Sequence, residues 1–416
     1  MFVKFFIINA YGRSNRGDSV LLDECIFEIH KYDHSAVISG AVFHGVEDIS
    51  SIHKDVSWGE RIGNRVTRSL IGKVFAVYCL VASIFVFKLK FRFLLKTLPD
   101  LQAKTAKGMI ESDVIVSAPG GYIHDTNNAY FIALYHIFAG LILKKKVILA
   151  PQSFGPVNSR IGRFLTRWVL SKVDVICTRE AYSYDFIVNT LHLNPLKVFK
   201  CGDSAFWSES SDGVLPDDLN GELREALNNK KVLGVTFVGW NFPHNPKADE
   251  LLQSYIKKMA NIIDVLVEEY GLFPVAFNQV DNDIKTANLV KKCCKSSMLV
   301  DEVCREPEYL RAMISRSTIF LGTRFHSCIF AMMENVPTFA IAYLPKTKFI
   351  LADLGLKKFA MDIEKMDEIY IVEQLRLLLK DLSYSKLKLS EAINKYKHNY
   401  MRFSDVLIDS GIDDAN

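Results

Sequence analysis

Short runs of consecutive apolar residues alternate along this chain with longer segments whose apolar positions recur every three or four residues. The short runs read as buried strands and the longer segments as helices with one covered face. In the first half the strand-like runs fall at 4–9, 113–117, 147–150 and 173–178, and the helix-like segments at 18–30, 130–143 and 161–171. After Trp207 the chain turns polar, with SESSDG at 208–213 and PDD at 216–218, and residues 208–229 read as a linker. The alternation then restarts, with strands at 232–237, 273–277, 318–321 and 338–341 and helices at 251–270 and 325–333. Residues 369–400 are helical in pattern and charged. Strands alternating with helices predict parallel α/β architecture. The expected organisation is two Rossmann-like domains, 1–207 and 230–383, facing across a cleft, with a C-terminal helical tail at 384–416. Ligands of such sheets bind beyond the carboxyl ends of the strands, so each loop following a strand becomes a candidate site.

One segment departs from this pattern. Residues 74–87 carry no charge and are bounded by Lys73 and Lys88. Ten cations lie between positions 61 and 107, with Asp100 as the single acid. A spanning helix needs about 20 apolar residues, so the fourteen-residue run reads as too short to cross. An apolar surface flanked by cations suits a helix lying on anionic lipid, and residues 61–107 are expected to make peripheral membrane contact. The competing reading is a core helix with snorkelling lysines.

Composition narrows the class. Hydrophobic residues at 49% and charged residues at 24% are ordinary globular usage, which excludes a disordered chain, a collagen-like repeat and a coiled coil. With 51 Lys plus Arg against 47 Asp plus Glu, the net charge of +4 gives no footprint for nucleic acid. The eight cysteines form no C-x-x-C pair, so neither a zinc site nor a disulfide framework is expected. The apolar start is too short for a signal peptide and reads as a first strand. A cytoplasmic enzyme is expected, working at the inner face of the cytoplasmic membrane.

The chemistry lies in the loops. In YGRSNRGD (11–18), Asn15 and Asp18 open a helix, and either cap it or contact substrate hydroxyls. That loop holds no dinucleotide or nucleoside-triphosphate fingerprint. APGGYIHD (118–125) sets Gly120 and Gly121 after a strand, with His124 and Asp125 at its mouth; a plain turn is the alternative. APQSFGP (150–156) places Gln152 and Ser153 at a strand end, and TRE (178–180) places Arg179 likewise. An arginine there either forks onto a phosphate or carboxylate or makes a structural salt bridge. The most pointed group is GTRFHS (322–327) followed by YLPKTK (343–348). Arg324 and His326 fall at a strand-to-helix junction, where a positive helix end attracts anions, and Lys346 follows the next strand. His326 there is a candidate general acid–base.

Taken in order, these motifs resemble those of the polysaccharide pyruvyl transferase family. The likeness runs from N-R-G-D-S at 15–19 through the Gly-Gly, P-Q-S-x-G-P, Arg-Glu and G-x-R-x-H-S motifs to the Lys346 loop. Phe325 stands where the family usually has Leu, Glu180 where it often has Asp, and the family's triple glycine is reduced to Pro119, Gly120 and Gly121. The insertion 61–107 lies outside the motif set. The resemblance implies a GT-B-like fold and transfer of a pyruvyl group from phosphoenolpyruvate to a sugar, forming a cyclic ketal with release of phosphate and with no metal required. It implies His326 as catalytic residue, Arg324 as a donor-binding residue of the C-terminal domain and Arg179 as a second donor-binding arginine, from the N-terminal domain; Phe325 and Lys346 are expected to join the donor site. Asn15, Asp18, Gly120, Gly121, His124, Asp125, Gln152 and Ser153 would line an acceptor side for a glycan, lipid-linked or finished. A nucleotide-sugar glycosyltransferase and a non-catalytic partner of membrane-bound glycan machinery are the alternatives.

Overall fold

The computed structural model describes residues 2–411 except 14–15, 66, 68, 126–128 and 244. The chain divides into two compact units, Met1–Trp207 with Tyr400–Asn416, and Ser208–Asn399. Each is built on a parallel sheet, which gives two Rossmann-like α/β units.

In the first unit the strands are β1 (Lys4–Ala10), β2 (Val37–Val42), β3 (Ser57–Glu60), β4 (Val114–Ser117), β5 (Gly120–Ile123), β6 (Lys146–Phe154), β7 (Val175–Thr178) and β8 (Val198–Lys200). Their order is β3-β2-β1-β4-β6-β7-β8, with β5 paired to β6. The chain runs outward from β1 in one direction and from β4 in the other, so the switch point lies between β1 and β4. Alternate strand residues feed two cores. Phe5, Ile7, Val114 and Val116 pack under helix α1 (Arg16–Tyr32). Phe6, Ile8, Ile115 and Val147 pack under α2 (Leu70–Leu89), α3 (Ala129–Ile142) and α4 (Arg160–Leu170).

Helix α2 corrects the expected length. It has 20 residues because Ser69 caps it, accepting from the Gly72 amide, and because Leu70, Ile71 and Leu89 extend the apolar run beyond both flanking lysines. At about 1.5 Å per residue it is long enough to cross a bilayer, so length does not decide its role. One face of it, with Ala76, Cys79, Ala82, Val86 and Phe87, is packed into the unit. Arg61, counted among the cations of this stretch, also turns inward; its guanidinium carbon lies 3.8 Å from the Phe43 ring centroid. Burial lowers its pKa to about 10.

The second unit has strands β9 (Val232–Thr236), β10 (Phe273–Ala276), β11 (Leu299–Val300), β12 (Ser317–Gly322), β13 (Thr338–Ala342) and β14 (Ala360–Asp362), ordered β11-β10-β9-β12-β13-β14. Its switch point falls between β9 and β12. Helices α5 (Ala248–Tyr270), α6 (Asp281–Cys293), α7 (Phe325–Met333), α8 (Pro345–Asp353) and α9 (Leu382–Asn399) belong to it. Residues 208–229, read above as a linker, fall within this unit. They include a helix over Gly221–Asn229, capped by Asn220 and seated through Leu223, Ala226 and Leu227.

The segment read as a tail divides: α9 stays with the second unit, and the chain then returns to the first through α10 (Phe403–Asp409). Phe403, Val406 and Leu407 of α10 join Leu22, Ile26 and Ile29 of α1 in the core. Glu28 is buried at that contact. It accepts from Arg402 Nε at 2.9 Å and from the Ser404 amide at 2.9 Å. Lys146 Nζ donates to the carbonyls of Ser410 and Gly411, at 2.6 and 2.9 Å, where the end of the helix leaves acceptors exposed.

Burial alone would raise the Glu28 carboxyl, but the donors on Arg402 and Ser404 outweigh it and hold the pKa below the ordinary range. A lowered folded value means the contribution is complete above the unfolded value of about 4.3 and is lost as pH falls through the folded one. Arg402→Ala should therefore cost roughly 1.5–3 kcal/mol at neutral pH. In urea unfolding the gap between variant and wild type should narrow on acidification below pH about 4; a gap constant with pH would detach α10 from the Glu28 charge.

Candidate functional site

The second unit gathers its functional side chains at the switch point. Strand β9 ends at Thr236, whose hydroxyl accepts from the backbone amides of Thr323 and Arg324, at 3.1 and 3.2 Å. The Thr323 hydroxyl in turn lies 2.8 Å from the Tyr255 hydroxyl on α5. These bonds hold the junction where β12 turns into α7. Gly322 makes the turn tight, since a Cβ there would lie 2.5 Å from the Cys328 sulfur.

Arg324 occupies the cap position of α7. Its Nε and Nη2 donate to the two carboxylate oxygens of Asp283, at 2.8 and 2.5 Å. Asp283 is completely buried in the first turn of α6, while the arginine side chain keeps 15% of its surface exposed. Burial alone would lower the guanidinium pKa, but the Asp283 hydrogen bonds and charge outweigh that and raise it. The bidentate pair sets the plane and direction of the fork.

Around it stand the residues of the next loops. The Arg324 guanidinium carbon is 6.0 Å from the Tyr343 ring centroid, and Trp240, just beyond β9, packs on Tyr343 at 5.0 Å. Lys346, in the first turn of α8, holds its ammonium 4.9 Å from the Phe325 ring, and Phe325 lies edge-on to His326 at 4.9 Å. His326 is 4% exposed. The structure thus brings Arg324, Phe325, His326 and Lys346 together within one unit, at the positive end of a nine-residue helix. Two fixed cations beside an imidazole can hold a small polyanion and move a proton to or from it.

Sequence reasoning missed Asp283, Thr236 and Trp240. Asp283 carries no motif of its own, and an acid in the first turn of a helix is ordinary capping chemistry. The available signal was that a fork-making arginine at a strand end requires a carboxylate when it is partly buried.

In the first unit the expected residues turn inward. Arg179 is 0% exposed. Its Nη1 lies 3.2 Å from Asp203 and its Nε 3.6 Å from Glu180, and Nε and Nη2 donate to the Ser153 hydroxyl at 3.0 and 2.6 Å. Ser153 itself donates to Glu180 at 2.8 Å. Burial raises the Glu180 carboxyl against the opposing pull of Arg179. Arg179 thus makes the structural salt bridge that its sequence context offered as the alternative to a donor-binding fork, with Asp203 and Glu180 meeting its charge.

Gln152 is fully buried too, its amide donating to the carbonyls of Ser117 and Ala118 at 3.1 and 2.9 Å. Gln152 and Ser153 thereby tie strand ends together. Asp125 clamps the loop before α4, accepting from the amides of Asn158 and Ser159 at 2.6 and 2.8 Å. Gly120 opens β5 opposite Gln152, with Gly121 and His124 half-buried beside it. Asp18 is half-buried in the first turn of α1; Asn15 lies outside the described residues. A small recess at the switch point, lined by Asn9, Tyr11, Phe43, Arg61 and Tyr122, was not anticipated. Among the described residues no cluster of His, Cys, Asp and Glu has the geometry to hold a metal.

Comparison with known proteins adds the following. A model of the polysaccharide pyruvyl transferase family matches residues 15–345. The amylovoran biosynthesis protein AmsJ of Erwinia amylovora is 22% identical over 284 residues, 64% of this chain and 67% of that protein. Among solved structures, the UDP-GlcNAc 2-epimerase of Neisseria meningitidis bound to UDP-GlcNAc aligns over 98% of this chain and 99% of its own, with TM-score 0.60 and 11% identity. A glycosyltransferase of Rickettsia africae aligns over 100% and 98%, with TM-score 0.59 and 8% identity. At such identities the likeness is one of fold, and the fold is GT-B-like.

The Arg179 cluster yields a stability prediction. Arg179→Met leaves Asp203 and Glu180 buried without their cation, which should cost roughly 3–5 kcal/mol in urea unfolding. A variant of wild-type stability with weakened anion binding would return Arg179 to the ligand.

Proposed function

The chain belongs to the polysaccharide pyruvyl transferase family, and from that membership we propose that it moves a pyruvyl group from phosphoenolpyruvate to two hydroxyls of one sugar. The acceptor in this reading is a sugar of a bacterial surface polysaccharide or exopolysaccharide, or of its lipid-linked precursor. The observation that carries the proposal is the convergence of Arg324, His326 and Lys346 at the switch point of the second unit.

Phosphoenolpyruvate carries a phosphate and a carboxylate, and so calls for more than one cationic anchor. Arg324, held in one orientation by Asp283, supplies a planar fork, and Lys346 a point charge. The amides at the start of α7 add a field that favours anions. His326 then acts at the methylene carbon. Its imidazolium gives that carbon a proton, the adjacent carbon gains positive character, and one sugar hydroxyl adds there. The second hydroxyl displaces phosphate to close the ketal. One hydroxyl proton restores His326 and the other leaves with the phosphate, so atoms and charge balance.

Full-length protein with phosphoenolpyruvate and a panel of synthetic or lipid-linked glycans should release phosphate in step with a mass gain of one pyruvyl ketal. Consumption of a nucleotide sugar instead would establish glycosyl transfer and overturn the donor assignment. His326→Asn should lower turnover by about 10²–10⁴-fold with little change in donor affinity. Arg324→Lys keeps a cation facing Asp283 but loses the fork, and should weaken donor binding by about 1.5–3 kcal/mol in calorimetry. Near-normal turnover in His326→Asn would remove the imidazole from proton transfer.

A further inference from the structure

The outer surface of the first unit carries apolar side chains that its own folding does not use. On α2, Leu70, Ile71, Val74, Val77, Val81 and Phe85 are exposed, Ile71 at 80% and Val77 at 59%. Their spacing follows one helical face, opposite the face set by Ala76, Cys79, Ala82 and Val86 in the core. Phe91 and Phe93, in the turn that follows, continue the stripe. The stretch expected from sequence ends at residue 107, and the structure brings two further helices beside it.

Helix α3 lies between α2 and α4 on the same side of the sheet, and AYFIALYHIFAGLI contains no charged residue. It is joined to α2 through the Ser83–Tyr135 hydroxyl pair and to α4 through Phe138 and Trp168, whose rings are 5.0 Å apart. Helix α4 then presents Ile161, Phe164 and Trp168 to solvent, Phe164 at 66%. On α3 only Phe131 is exposed, with Tyr135 and Phe138 half-buried, so this helix bridges the exposed apolar faces of α2 and α4.

The exposed charge of this surface is predominantly positive, although Asp125 lies at the loop just before α4. No Asp or Glu occurs from residue 126 to residue 173, while α4 exposes Arg160, Arg163 and Arg167 next to its apolar residues. Lys172 sits over the Trp168 ring at 3.8 Å. At the other edge Lys73, Lys88, Lys90, Arg92 and Lys96 are exposed beside α2.

We propose that the outer faces of α2, α3 and α4 together form a docking surface for an anionic lipid bilayer, with the three helices lying in the plane of the interface. Charge complementarity selects the occupant: apolar side chains enter the acyl boundary while the cations meet headgroup phosphates. An in-plane arrangement follows from the packing of α2, since crossing the bilayer would pull Cys79, Ala82 and Val86 out of the core they occupy. The inference makes no use of the donor or the reaction.

The test is co-sedimentation of full-length protein with phosphatidylglycerol–phosphatidylcholine vesicles and with phosphatidylcholine alone. The mixed vesicles should bind at low salt and release the protein at high salt. Arg160→Glu with Arg167→Glu, a pair of exposed residues whose replacement leaves the core intact, should weaken binding about tenfold or more. Phe164→Ser with Trp168→Ser on α4, and Val77→Ser with Val81→Ser on α2, should each do the same, with thermal melts confirming folded protein. Brominated lipid should quench tryptophan emission, and Trp168→Phe should abolish most of that quenching. Absence of wild-type binding to the mixed vesicles would overturn the proposal. So would retention after an alkaline carbonate wash, which marks a spanning helix. Undiminished binding in both α4 pairs would exclude α4. Substitutions that dissociate a lipid-free dimer while leaving vesicle binding unchanged would identify a second copy of the chain as the occupant.

Discussion

The candidate site of the second unit is organised around one ion pair with a buried carboxylate. Asp283 is fully enclosed, and a carboxylate removed from water requires a cation with matched hydrogen bonds. Arg324 meets that need with two of its nitrogens, and the same bonds fix the guanidinium at the mouth of the sheet. Everything else in the site hangs from this junction. The Thr236 hydroxyl takes up the Thr323 and Arg324 amides, so α7 leaves β12 at a set angle and carries Phe325 and His326 with it. Phe325 in turn meets Lys346 from the following loop. The pair that satisfies a buried charge therefore also aims the group proposed to meet the donor anion.

Arg179 shows the opposite use of the same residue in the same topological position. Both arginines follow a strand of a parallel sheet, where ligands usually bind. Arg324 faces one carboxylate and stays partly exposed, whereas Arg179 is enclosed with Asp203, Glu180 and the Ser153 hydroxyl. The difference lies in how many buried acceptors surround the guanidinium. Glu180 belongs to the local motif, but Asp203 and Ser153 come from distant positions, and the motif alone does not reveal them.

The same limit separates what was legible in the sequence from what was not. Most of the long strands and helices announced themselves by period, though β2 and α6 did not, and the G-x-R-x-H-S and Y-x-P-K motifs already placed Arg324, His326 and Lys346 at consecutive strand ends. Strands of two to four residues, such as β3, β8, β11 and β14, are too short to show alternation. Polar composition over 208–229 hid a helix whose capping by Asn220 and three buried side chains need few apolar residues. Gln152 and Ser153 look like ligands because polar residues at strand ends often are. Here they are consumed by the requirement that buried polar groups find partners.

The two sides of the first sheet make a related point about what folding requires. A parallel sheet needs both faces covered, and each covering helix needs an apolar stripe on its inner side alone. On one side α1 meets that rule and gains α10, whose apolar residues are absorbed between α1 and the strands. On the other side α2, α3 and α4 satisfy the inner requirement fully, with the Ser83–Tyr135 pair supplying internal polar contacts. Their outer residues add nothing to that core. Apolar area left in water costs about 25 cal/mol per Å² relative to burial and promotes association, so it is a liability for a free surface. A polar outer face would fold equally well. Folding of the unit therefore does not account for the apolar and cationic composition of those outer faces, and that composition is what the proposed contact with anionic lipid rests on.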